Sequence, residues 1–166
     1  KKAERIIADH NKAATFILSE GLAPSNVGRG YVLRRLIRRA VRYGKLLGIE
    51  KEFCAEIAKT VLEIYQNVYL ELLENQDFII NELAKEEENF NRTLARGLKF
   101  LQENLESYSQ FNKAALEEYG EGLPFKAGFA FFMYETYGFP PELTLEEVKR
   151  NPAISGKIDE NKFWEH

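Results

Sequence analysis

One cysteine, one methionine, one tryptophan and two histidines in 166 residues leave few of the side chains on which metal and redox chemistry depend. A single thiol forms no internal disulfide, which excludes a disulfide-stapled secreted scaffold. Cys54, in EFCAEIAK, reads as a small core residue. His10 and His166 stand far apart and, with one cysteine, match no zinc spacing; His10 fits a core or capping role better than that of a base. Neither a P-loop nor a G-x-S-x-G elbow occurs. The longest apolar run, AGFAFFM, is far too short to span a bilayer, and no charged-then-apolar leader opens the chain. The expectation is a soluble, cytoplasmic protein with no membrane partner.

What is present is enough for a core. The chain is 45% hydrophobic and 30% charged, with 12 Phe and eight Tyr. Apolar residues recur at helical spacing and hardly ever alternate, and no internal repeat occurs, so the fold class is all-α. ERIIADHNKAATFILSE predicts a first helix, stopped at Gly21. The segment from Tyr31 to Lys45 predicts a second, closing near Gly48, and EKEFCAEIAKTVLEIYQ a third. From about Asp77 to Tyr108, Phe90, Leu94, Leu98, Leu101, Leu105 and Tyr108 form a narrow stripe like a coiled-coil seam. Gly97 inside it reads as close approach of a neighbouring element rather than as a hinge. GFAFFMYETYG predicts a short buried helix ended by Gly138, and another helix runs from Pro141 to about Arg150. NPAISGKIDENKFWEH reads as a turn and the start of one more. The Gly/Pro-rich YGEGLPFKAG marks the expected boundary between a helical subdomain at 1–119 and a smaller one at 120–166.

Charge is unevenly spread. SNVGRGYVLRRLIRRAVRYGK, Ser25 to Lys45, holds seven of the 23 basic residues and no acid, although the chain carries 26 acids and a formal net charge of −3. On a helical wheel Leu33, Leu36, Ile37, Ala40 and Val41 share one face. Arg34, Arg35, Arg38, Arg39, Arg42 and Lys45 spread over the opposite one. Two readings stand: a solvated face paired with nearby acids, or a polyanion site, since arginine makes planar, bidentate contacts to phosphate. The narrow apolar face without Trp speaks against a membrane surface. Gly28 and Gly30 fall at the helix start, where exposed N–H groups can hold a phosphate. Ser25 and Asn26 suit helix capping. Acid-rich stretches such as AKEEENF and ELTLEEVK fit solvated helix faces, and no residue stands out as catalytic.

Three stretches together resemble a known family. IIADHNKAATFILSEGLAPSNVGRGYVLRRLIRRAVRYG is similar to the central segment of the alanyl-tRNA synthetases. EEENFNRTLARGLKFL and AFFMYETYGFPPELT resemble two later signatures of that family, in the same order. The likeness covers roughly Arg5 to Lys149. It implies a helical region, without adenylation or editing motifs, that grips the acceptor stem of alanine tRNA within a longer class II ligase, with the rest of that chain as a further partner. The arginine face, Arg29 included, would lie along the RNA backbone. The resemblance also implies that Asn26 and Glu142 read the G·U pair of that stem; the family pattern has Asp where Glu142 stands, and the local alternative for Glu142 is an acid favoured in a first helical turn. No cofactor is implied for this segment; ATP with Mg, and the zinc of the editing domain, would belong to the rest of the longer chain. A helical DNA-binding module and a protein-interaction scaffold are the competing classes.

Overall fold

The computed structural model describes residues 1–119, 127–139 and 141–150. Among the described residues there are seven helices and no strand: α1 (Lys2–Ser19), α2 (Gly28–Leu46), α3 (Cys54–Tyr65), α4 (Leu70–Glu74), α5 (Gln76–Tyr119), α6 (Ala127–Tyr137) and α7 (Pro141–Arg150). The all-α reading holds. Gly21 and Gly48, both at φ +77°, stop α1 and α2 in the left-handed region that glycine tolerates. The long helix starts where the periodicity puts it and runs past Tyr108 to Tyr119. The one-turn α4 has too few residues for a period and is invisible to pattern reading. NPAISGKIDENKFWEH and the connector at 120–126 lie outside the described residues.

By its contacts the chain forms two compact units, Lys1–Asn91 and Arg92–His166, divided inside α5. In the first, α1 and α2 pack most extensively. The buried stripe of α1 is Ile7, Asn11, Ala14, Thr15 and Leu18, spaced by fours and threes as one helix face requires. Its polar members turn back on their own helix. Asn11 Nδ2 donates to the Ile7 carbonyl at 2.9 Å and Thr15 Oγ1 to that of Asn11 at 2.8 Å, so a face carrying polar atoms still packs. Against it α2 sets Leu33, Ile37, Ala40 and Val41, all fully buried. Phe16, Tyr65 and Tyr69 meet edge-on at 5.1–6.3 Å between centroids, tying α1 to α3 and to the loop before α4. Asn75 Nδ2 closes the last turn of α1 by donating to the Ser19 carbonyl at 2.9 Å.

In the second unit Leu94, Leu101 and Leu105 of α5 are buried with Ala130, Met133, Phe139, Leu143 and Val148. Phe100 is the hub: Phe129 stacks on it at 6.0 Å, and Phe132 and Tyr137 lie at 5.3 and 5.5 Å. Gly97 does what its place in the stripe implies. A Cβ there would lie 3.2 Å from Tyr137 Cβ and 3.5 Å from Phe139 Cδ2, so the missing side chain lets the end of α6 approach. No helix among the described residues is long and apolar enough to cross a membrane.

Candidate nucleic-acid interface

The arginine run folds into one helix, and neither Ser25 nor Asn26 caps it. The N-cap is Val27, which offers no side-chain oxygen. Ser25 instead folds the loop on itself: its hydroxyl donates to the Val27 carbonyl at 2.9 Å, and its N–H donates to the Gly30 carbonyl at 3.1 Å. The loop is therefore pressed onto the first turn of α2. A Cβ on Gly30 would meet Ser25 Oγ and come within 2.7 Å of the Ala23 carbonyl oxygen. Gly30 is buried and serves that packing, whereas Gly28, Arg29 and Asn26 are exposed.

The basic face is not uniformly open. Arg34, Arg35, Arg39 and Lys45 are half-buried, but Arg38 and Arg42 are 8% and 7% exposed. This corrects the expectation of a cationic surface running the length of the helix. The cause is α5. Its Glu86, 5% exposed, puts one carboxylate oxygen 2.6 Å from Arg38 Nε and 3.3 Å from Arg34 Nε, and Phe90 one turn on lies beneath the Arg38 guanidinium at 5.1 Å. The arginine helix is thus partly neutralised from inside by an acid of α5. Arg35 stands over Tyr31 and Arg39 over Tyr43, both at 5.9 Å. Lys45 Nζ donates to the Glu50 carbonyl at 2.9 Å.

Glu86 and Glu87 belong to the acid run that reads as a solvated face; both are buried. Glu87 takes the place of the missing cap on α3, whose N-cap, Phe53, has no side-chain acceptor. Its carboxylate accepts from the N–H of Cys54 at 2.8 Å and from that of Phe53 at 3.2 Å. Burial nonetheless pushes the Glu87 carboxyl above its ordinary range, against the pull of those two donors. Cys54 is fully buried, and burial first, then the Glu87 charge, push its thiol well above 9.0. Only the uninterrupted triple E-E-E within a helical period hinted that an acid here must face inward.

Asn26 is gathered into the same cluster. Arg34 Nη1 donates to Asn26 Oδ1, so Glu86, Arg34 and Asn26 form a chain from the buried face of α5 to the exposed loop before α2. Glu142 lies in the other unit, in the first turn of α7, half-buried. Among the described residues no three His, Cys, Asp or Glu side chains converge as metal ligands would.

Comparison with known proteins gives this geometry a setting. The alanine–tRNA ligase of Desulfitobacterium hafniense (strain Y51) is 46% identical over 144 residues, 87% of this chain and 15% of that protein. That of Alkaliphilus metalliredigens (strain QYMF) is 42% identical over 159 residues, 96% of this chain and 17% of that protein. That of Prochlorococcus marinus (strain MIT 9301) is 46% identical over 148 residues, 89% of this chain and 15% of that protein. The chain therefore spans 15–17% of the length of these curated relatives. The family described as tRNA synthetases class II (A) matches residues 1–165. With relatives this similar over most of the chain, and a family match over nearly all of it, this chain belongs to the class II (A) tRNA synthetases.

Proposed function

We propose that this chain is the tRNA-gripping region of an alanine–tRNA ligase, holding the acceptor stem of alanine tRNA and reading its G·U pair while the longer protein attaches alanine. The observation that carries the reading is α2: a helix of a synthetase-family chain that concentrates arginine beside an exposed asparagine at its start. Arg29, Arg34, Arg35, Arg39 and Lys45 supply the positive charge that tracks a phosphate backbone. Arg38 and Arg42, being buried, support the helix from behind. The first N–H groups of α2 at Gly28 have no carbonyl ahead of them in the helix and suit a phosphate oxygen.

A-form RNA presents its shallow minor groove to side chains. There guanine offers its N2 amino group. In a G·U wobble the uracil slides toward the major groove, and that amino group loses its partner. A carboxylate such as Glu142 accepts from it strongly, and an asparagine amide such as Asn26 matches neighbouring donors and acceptors. Zinc ligands are not gathered among the described residues. In this proposal ATP with Mg, and any zinc, are held by other parts of the longer protein. The exposed Ile64, Val68, Leu70 and Leu73 around α4 are suited to meeting that remainder.

The test is a binding titration of the chain against alanine tRNA, a non-cognate tRNA and duplex DNA at two salt concentrations. Tighter binding of alanine tRNA, weakening as salt rises, is the expected result. Equal affinity for the two tRNAs removes the alanine-specific reading, and tighter binding of duplex DNA replaces RNA with DNA.

A further inference from the structure

We propose that Arg34 is a positioning residue for base-pair readout: anchored on the buried Glu86, it fixes which end of the Asn26 amide meets the RNA. The inference rests on the reading just given and assigns Arg34 a part beyond the phosphate-tracking charge it shares with its neighbours.

The two ends of an asparagine amide have nearly the same shape, but one accepts and the other donates two protons. A half-turn about the last side-chain bond exchanges them. Asn26 is exposed, on the loop before α2. Arg34, whose guanidinium has only donors to offer, gives one to Asn26 Oδ1. That turns Oδ1 toward α2 and the NH₂ away from the guanidinium.

Arg34 can do this because it is itself held. Its Nε lies 3.3 Å from Glu86 Oε1, an ion pair without a hydrogen bond, to the same oxygen that Arg38 Nε meets in a hydrogen bond of 2.6 Å. Glu86 is 5% exposed, and Arg38, its second partner, 8%, so the anchor is set in the core of the first unit. Two different nitrogens of one planar group serve the two contacts, Nε inward and Nη1 outward. A lysine ammonium carries the same charge but is a single point and cannot span both. An asparagine already oriented also loses less freedom on binding than one that must choose its rotamer there.

Arg34→Lys therefore separates charge from geometry. The full chain is titrated with acceptor-stem hairpins carrying G·U or G·C, at several salt concentrations, with helicity checked by circular dichroism. A good base-edge contact is worth roughly 5- to 150-fold in discrimination. Arg34→Lys is expected to lower the G·U preference about fivefold or more while leaving the salt dependence of affinity unchanged. Adding Arg34→Lys to Asn26→Ala is expected to lower it no further than Asn26→Ala alone. Glu86→Gln, which weakens the anchor without touching the exposed residues, is expected to lower it as well. If Arg34→Lys and Glu86→Gln both keep the native preference, the positioning role is overturned and the reading of Asn26 survives. A native chain that does not distinguish the hairpins overturns that reading, and the positioning role with it.

Discussion

At the residue scale the acids of α5 carry most of the consequences. Glu86 sits between two guanidinium groups in the core of the first unit. Removing one partner of a buried ion pair leaves the other charge stranded, at a cost of about 3–5 kcal/mol. Glu86→Ala is expected to lose about that much, read as a lower urea midpoint at unchanged slope, whereas Glu86→Ala combined with Arg38→Met should recover part of it. Glu87 gives a pH signature. Its folded carboxyl is raised above the ordinary 4.5, so the folded state favours the proton more than the unfolded chain does. Its contribution is full below about 4.5 and is lost as pH rises through the raised value. Stability relative to Glu87→Gln should therefore fall over that window; a flat difference would refute the assignment. Cys54, fully buried with its thiol pushed well above 9.0, should resist alkylation in the native chain and react once urea unfolds it.

At the element scale the helices were largely legible and their partners were not. Helix limits follow from spacing and from glycine, which act within a few residues; hence α7 begins at Pro141 and ends at Arg150 as its sequence implies. What escaped pattern reading lies far apart in the chain: Glu86 and Arg38 are 48 positions apart and Glu87 and Cys54 33, and a hydrophobic period cannot say which acid turns inward. The cap of α3 was hidden for the same reason, because its oxygen comes from another helix. Locally Asn26 reads only as a helix cap, and its pairing with Arg34, eight residues on, follows from no local motif. The Gly97 contact offers a test at this scale. Gly97→Ala should gain about 1 kcal/mol of helix propensity. The new Cβ would lie 3.2 Å from Tyr137 Cβ, and overpacking costs about 1–3 kcal/mol. A net loss of about 1 kcal/mol in chemical denaturation is expected, larger for Gly97→Val; a gain would show that the end of α6 yields freely.

For the whole molecule, the half-buried and buried arginines predict different phenotypes. Each phosphate neutralised contributes about −0.7 to −0.9 to the log–log salt slope. Arg35→Gln and Arg39→Gln should each flatten the slope for RNA binding by about one such step. Arg38→Met should lower stability and leave the slope alone. An identical slope for all three variants would place the phosphate path off α2. The same division bears on how the chain is made. The extensively packed pair α1 and α2 is complete by Leu46, but Glu86, the acid that meets Arg38, stands 48 residues after Arg38 in the chain. At about 5–20 residues per second, the ribosome takes roughly 2–10 s to supply it. For that interval Arg38 of the nascent chain is made without the carboxylate that meets it in the folded protein.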